Sequence, residues 1–370
     1  MNTNTAEAGT RIVPDNEVRT RIVRWCLYLF MSWVVSGLVL NATLTTGYFH
    51  NQKRVDFGDM VYGEAARPFV ARVATFAAVR AGTAITPEAV KAKIHSVWVA
   101  RDIEEWTGFP PENATEGLWA LLLMHLCVIG FMVVLRELQR TFYGLDEFVS
   151  SAVALVGGAA VPLLRPYFMY DFTVLFLFPL ALLLMVKSRW WLYYLVFVVV
   201  CFTKETGVIL PFLLFLLLPK YREKLQVMGH VVFQGAIWAG VYLLLQYAFQ
   251  ANQGSALEFH LLGYNAETLT SPRPLVTTTH YLVPDRSNIL LLGLVAVLTF
   301  HRFREKPVFL RWALAMTVPL FVLLALFGWI DEMRTYYEVF AVFFLLIQYS
   351  VMKLFGYHFA PNRELLPSFK

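Results

Sequence analysis

The sequence predicts an all-α polytopic membrane protein of about ten transmembrane helices, with juxtamembrane helices in a large first external loop. Three observations carry this. Of 370 residues, 58% are hydrophobic and only 15% are charged, where a soluble domain carries about 25% charge. Ten apolar runs recur along the chain, several near the length that crosses a bilayer. Lys and Arg gather in alternate links between these runs, as in the cytoplasmic segments of multispanning proteins.

Residues 1–24 are polar and read as a cytoplasmic tail. The first run, 25–44, is too long for the apolar region of a cleaved signal and reads as an uncleaved helix. The others are 117–135, 148–164, 172–186, 190–203, 206–218, 227–249, 288–300, 312–330 and 336–352, the fourth, fifth, sixth and eighth of the ten being short. With the N-terminus inside, about eighteen Lys and Arg residues fall in cytoplasmic segments, against about five in short external ones. Those five are Arg165, Lys204, Arg273, Arg286 and Arg334. Merging the fifth and sixth runs across Lys204-Glu205 would turn the basic clusters at 220–224 and 301–306 outward, against this rule. The transmembrane domain is thus 25–353, followed by a cytoplasmic tail, 354–370, in a multi-pass protein of the inner (plasma) membrane. Cys26, Cys127 and Cys201 all lie in apolar runs, so they read as small buried hydrophobes and no disulfide framework is encoded.

Two external loops stand out, 45–116 and 250–286. In the first, the stretch 60–79 is apolar but holds Arg67 and Arg72, with Arg80 following. Each Arg costs about 2.5–3.5 kcal/mol at a bilayer centre, so this stretch is expected on the interface. Thr86 reads as a cap and Pro87 as the first residue of a helix reaching Trp106, ending before Gly108-Phe109-Pro110-Pro111. The second loop has turn signals at 252–254 and 271–274. No inverted repeat is visible.

The net charge of +5 comes from short clusters between apolar runs and does not point to nucleic acid. No Walker loop, dinucleotide fingerprint or metal-type Cys/His spacing occurs, so no nucleotide cofactor is expected. An activated substrate would arrive from the membrane. The external side collects the unusual residues. Asp56 and Asp59 offer a general base or a metal ligand, the alternative being a solvated loop with an Asx turn. Arg67, Arg165, Arg273 and Arg334 suit phosphate oxygens, which Arg binds bidentately. Lys204 and Glu205 are neighbours flanked by apolar residues and point apart, so each needs its own partner, a carboxylate for Lys204 and an Arg for Glu205. Asp171 and Arg334 are candidates on the same face. This constellation reads either as an ion-pair network tying helix ends together or as a polar cavity at the membrane surface. Tyr62, Tyr170, Asp171, Asp331, Glu332 and His260 lie on that side as candidate substrate contacts. His125, in mid-helix, reads as a hydrogen-bonded core histidine.

These residues carry a family resemblance. Asp59-Met60-Val61-Tyr62 with Arg67-Pro68-Phe69-Val70 resembles an Asp-x-x-Tyr…Arg-Pro-Leu pattern in bacterial members of the GT-C superfamily of integral-membrane glycosyltransferases. Phe202-Thr203-Lys204-Glu205-Thr206-Gly207 is similar to a Thr-Lys-Glu-Thr segment there, and Asp331-Glu332-Met333-Arg334 to a late acidic-Arg segment. The likeness covers most of the chain by topology and only these short segments by motif; this sequence is shorter than many members. The resemblance implies a polyprenyl-phosphate-linked sugar donor, a glycan, lipid or protein acceptor, and inversion at the anomeric carbon. It implies Asp59 or Asp56 as general base, Glu205 as a further catalytic group, and Arg67, Lys204, Arg334 and Arg165 around the leaving lipid phosphate. Some members use a divalent metal such as Mg or Mn, which the residues leave open. Competing readings are an O-antigen-polymerase-like glycan ligase and a lipid or solute transporter. A transporter would place charges near the midplane beside paired broken helices.

Overall fold

A computed structural model describes residues 15–44, 55–164, 168–255, 288–328 and 333–369, with isolated positions at 259, 263, 265 and 266. Among the described residues there are helices and turns and no strand. The helices are α1 (Asp15–Leu44), α2 (Phe57–Tyr62), α3 (Val73–Ile85), α4 (Glu88–Ala100), α5 (Ile103–Thr107), α6 (Ala114–Tyr143), α7 (Glu147–Ala159) and α8 (Met169–Val186). They continue with α9 (Trp190–Thr203), α10 (Ile209–Leu217), α11 (Lys224–Ala248), α12 (Asn288–Phe300), α13 (Val308–Ala313), α14 (Thr317–Phe327) and α15 (Tyr337–Leu354).

Seven stretches are long and apolar enough to cross a membrane: Val18–Leu44, Pro111–Tyr143, Glu147–Leu164, Met169–Val186, Lys224–Ala248, Val308–Phe327 and Arg334–Leu354. The other three expected spans form as the shorter helices α9, α10 and α12. Burial sorts the long ones. The apolar window of α8 is 83% enclosed by protein, whereas those of α1 and α11 are 22% and 11% enclosed. Thus α8 is the centre of the bundle, and α1 and α11 turn most of their apolar surface outward. Cys26 accordingly is exposed on α1, while Cys127 and Cys201 are buried as expected.

The turn at Lys204 is a true break. Lys204 is extended at φ −160° and ψ 140°, and a 3-10 turn, Glu205–Val208, follows. Tyr193 donates to Gln234 Oε1 at 2.7 Å, and further along Trp238 Nε1 donates to the Glu205 carbonyl at 2.8 Å. These contacts advance together along α9 and α11, so the two helices run in the same direction. The segment between them, with α10, must therefore return the chain.

α1 runs antiparallel to α6. His125 Nδ1 lies 3.1 Å from Ser36 Oγ, and its ring meets Trp33 edge-on at 3.9 Å, so it is the bonded core histidine expected. At the other end of this pair Arg136, only 1% exposed, is satisfied by Glu147 at 2.7 Å and Ser151 at 2.9 Å, with Trp25 beneath its guanidinium.

The first long loop departs from expectation in two places, the cap at Thr86 and the helix that follows it. α3 packs against α6, α8 and α9, burying Thr75, Phe76, Val79 and Gly82 while Arg80 stays exposed. Thr75 bonds Thr173 at 3.1 Å, and Arg72 is buried at the inner end, where partners described below offset its desolvation. Thr86 caps nothing by its side chain: α4 begins at Glu88 with Pro87 before it, while the Thr86 hydroxyl donates back to the Gly82 carbonyl at 2.8 Å and accepts from Trp119 Nε1 at 3.0 Å. The expected helix to Trp106 is two helices, broken at Arg101-Asp102, where Asp102 adopts φ 48°.

At Gly82, a methyl group would overlap the Trp119 indole. Gly82→Ala is therefore expected to destabilise the protein by about 1–3 kcal/mol through overpacking. A lowered unfolding midpoint of the purified protein checks this; an unchanged midpoint contradicts the α3–α6 contact.

Residues 355–369 are not a loose tail. Asn362 N donates to the Phe142 carbonyl and Val308 N to that of Arg363, each at 2.8 Å. Trp190 Nε1 donates to Ser368 O at 2.6 Å, and the Phe369 ring lies 4.8 Å from that of Trp190. Apolar side chains in the segment, Phe359, Leu365, Leu366 and Phe369, draw it across the helix ends.

Candidate functional site

At the other end of the bundle four separate turns bring charged side chains together. Arg72 stands just before α3, Asp171 in the first turn of α8, Lys204 and Glu205 between α9 and α10, and Arg334 and Glu338 around the start of α15. Arg72 is 8% exposed, Asp171 1%, Lys204 5% and Glu338 0%. Burying any of these ions alone would cost several kcal/mol, about as much as an ordinary domain can spare. Pairing meets the cost. Lys204 Nζ lies 2.7 Å from Glu338 Oε1, Arg72 Nη2 3.0 Å from Glu205 Oε1, and Arg334 Nη1 3.7 Å from Asp171 Oδ1.

Neutral groups complete the cluster. Thr206 Oγ1 donates to Glu338 Oε1 at 2.6 Å. Arg72 Nη1 donates to the Tyr170 hydroxyl, and the same guanidinium lies over the Tyr170 ring at 4.5 Å and the Phe69 ring at 5.3 Å. Arg334 lies over Phe168 at 4.6 Å. Asp171 Oδ2 also accepts from the Phe168 backbone N–H at 2.9 Å, which orients the start of α8. Among the described residues Arg72 Nε and Glu338 Oε2 have no hydrogen-bond partner. Such an atom costs about 1–3 kcal/mol when left dry, so both call for water or a ligand. The Glu205 side chain is 40% exposed. Beside it the Trp238 and Tyr242 rings stack at 5.5 Å.

The sequence predicted the kinds of partner but not their identities. Lys204 does have a carboxylate and Glu205 an Arg, yet these are Glu338 and Arg72. Asp171 and Arg334, the expected partners, pair with each other. Arg72 stood out in the sequence only as an expensive charge in an apolar stretch, and that cost was the usable signal. Glu338 carried the same signal, a carboxylate among the apolar residues that open α15.

The remaining predicted residues separate from this cluster. Asp56 is exposed and caps α2, its Oδ1 accepting from Gly58 N at 2.9 Å and Asp59 N at 3.3 Å, so the Asx-type reading holds. Asp59 is half-buried on α2. Its pKa is raised by burial first and then by the negative charges of Asp56 and Glu64. No described hydrogen bond or ion pair joins the Asp59 carboxylate to the cluster. Arg67 instead joins the two long loops, Nη2 donating to Gly254 O and its backbone N to Gln253 O, each at 2.8 Å. Tyr62 donates to Glu116 at 2.7 Å, a bond that pushes its hydroxyl up to about 12. Arg165, His260, Asp331 and Glu332 lie outside the described residues, as does Arg273. Among the described residues no three His, Cys, Asp or Glu side chains converge as a metal site, and Asp56 Oδ1 is taken up by backbone amides.

Fold and site together define an all-α protein of membrane-spanning composition with a charged, partly unsatisfied cluster at one end of its bundle. Comparison with protein-family models, curated proteins and solved structures finds no match to this chain.

Proposed function

We propose that this protein is an inverting, GT-C-like glycosyltransferase of the plasma membrane, which moves a sugar from a polyprenyl-phosphate donor to an acceptor hydroxyl at the external face. The observation that carries this reading is the convergence of Arg72, Lys204 and Arg334 in one buried cluster whose Arg72 Nε and Glu338 Oε2 lack partners among the described residues. Cations so held, close to lipid, suit the oxygens of a lipid phosphate. Ten crossings fit this reading. The 3-10 turns Glu205–Val208 and Leu218–Lys220 extend α10 to about 28 Å, near the bilayer core of about 30 Å. The Lys and Arg bias then puts the helix ends bearing Arg136, Arg140, Lys187 and Lys353 in the cytoplasm and the cluster outside.

In the proposed reaction the acceptor hydroxyl attacks the anomeric carbon while Asp59 takes its proton. The new C–O bond forms as the bond from carbon to phosphate oxygen breaks. The electron pair leaves on the polyprenyl phosphate, whose growing charge Arg72, Lys204 and Arg334 stabilise. Glu205 holds Arg72 in place, and Trp238 and Tyr242 offer the sugar an aromatic wall.

Asp59→Asn is expected to lower transfer by about a hundredfold to ten-thousandfold with folding intact. Asp56→Asn is expected to keep transfer, because Asn caps a helix as well as Asp. The pH profile separates them further. Asp59 must be ionised to accept the proton, so the rate rises with pH through its raised pKa. Removing the Asp56 charge stabilises the Asp59 carboxylate and moves that limb to lower pH. Transfer assays on reconstituted protein with a polyprenyl-phosphate sugar test both; an active Asp59→Asn enzyme removes the assigned base.

A further inference from the structure

A second polar space lies where α2, the far end of α3, α4 and the start of α6 meet. It is a hollow of about 390 Å³ lined in part by Tyr62, Thr83, Lys91, His95, Glu112 and Glu116. That volume falls in the range of about 300–1,000 Å³ typical of small-ligand sites. The hollow is separate from the charged cluster: Arg72 and Thr83 flank opposite ends of α3, about 16 Å apart along the helix.

Its charges do not balance internally. Lys91 pairs with Glu88, another lining residue, at 2.7 Å. Glu112 and Glu116 have no cationic partner among the described residues. Glu116 is only 6% exposed, and among the described residues its one side-chain bond is to the neutral Tyr62 hydroxyl at 2.7 Å. The start of α6 favours a carboxylate at this position, and among the described residues no side-chain donor reaches the second oxygen of Glu116. The Thr83 hydroxyl is likewise buried without a partner. A largely buried carboxylate whose described side-chain donor is a neutral hydroxyl has an oxygen left to accept from a cationic group of a ligand.

We infer that this hollow binds an amine-bearing carbohydrate, its protonated amine held by Glu116 and Glu112 and its hydroxyls by Tyr62, Thr83 and His95. Its role as the acceptor site rests on the transferase reading above; the binding itself does not. The position suits an acceptor, because Tyr62 and Asp59 are three residues apart on α2 and share a face. A sugar seated against Tyr62 therefore brings its hydroxyls toward the proposed base.

The test is direct binding to full-length protein in lipid nanodiscs, at a pH that keeps amines protonated and glutamates ionised. The probes are a glucosamine trisaccharide, its neutral N-acetylated counterpart and a short-chain polyprenyl phosphate. The amine trisaccharide is expected to bind at least about tenfold tighter than the neutral one, the scale of one charge-assisted hydrogen bond. Glu116→Gln and the exposed Glu112→Gln are each expected to erase that preference, and Lys91→Ala to strengthen it, while polyprenyl-phosphate binding is unchanged. Glu112→Gln keeps the test decisive if Glu116→Gln does not fold. Equal binding of the two trisaccharides, or a preference that survives both Gln variants, overturns the inference. Preferential amine binding without polyprenyl-phosphate binding upholds the hollow and overturns the transferase reading instead.

Discussion

Arg72→Ala is expected to cut sugar transfer by about a hundredfold to a thousandfold, the scale of losing one positioned donor to a developing oxyanion. The effect should fall on kcat more than on donor KM, because the leaving phosphate gains charge only as its bond to carbon breaks. Arg72→Lys should recover part of the rate: it restores the charge but not the fork that reaches Glu205 and Tyr170 at once. Arg72→Ala also deprives Glu205 of its partner. Glu205→Gln in the same background therefore serves as the folding control, since it removes the uncompensated charge. Steady-state transfer kinetics on these variants, with unfolding midpoints alongside, decide the matter. A wild-type rate in Arg72→Ala would show that the cluster holds helices together and does no chemistry.

The second large effect is on stability. Lys204 and Glu338 form the most deeply buried ion pair of the site, at 2.7 Å with side chains 5% and 0% exposed. Removing either partner leaves the other charge dry. Lys204→Met and Glu338→Leu singly are each expected to cost about 3–5 kcal/mol. The double replacement should recover most of this, because the desolvation of both ions disappears together and apolar side chains of similar size take their place. It should not recover transfer if Lys204 faces the lipid phosphate. Denaturant unfolding in detergent reads the first expectation and the transfer assay the second. A double variant as unstable as the worse single one would mean that Thr206, which donates to the same carboxylate, matters more than the ion pair.

The same pair marks where sequence reasoning stopped. Lys204 and Glu205 were visible as a problem, since two adjacent charges between apolar runs cannot neutralise each other. Their solutions lay far away: Arg72 is 133 residues from Glu205, and the Thr206–Glu338 bond spans 132. Nothing in spacing or composition connects such positions. Asp56 shows a different case. Two carboxylates three residues apart allowed a base, a metal ligand or a turn, and only the path of α2 assigned Asp56 to capping. α3 shows a third. Its arginines pointed to the interface, but which helices it packs on, α6, α8 and α9, only the fold shows.

The sequence by itself determined that the chain is helical and of membrane-spanning composition, where its long apolar helices fall, and that the chain turns at Lys204. These properties follow from hydropathy and backbone chemistry summed over neighbouring residues, which any window along the chain contains. The tertiary structure alone decided which cation meets which carboxylate, that Arg72 and Glu338 belong to the site, and that residues 355–369 strap the opposite end. The energy of a buried charge depends on what surrounds it in space, and packing from distant helices supplies those surroundings.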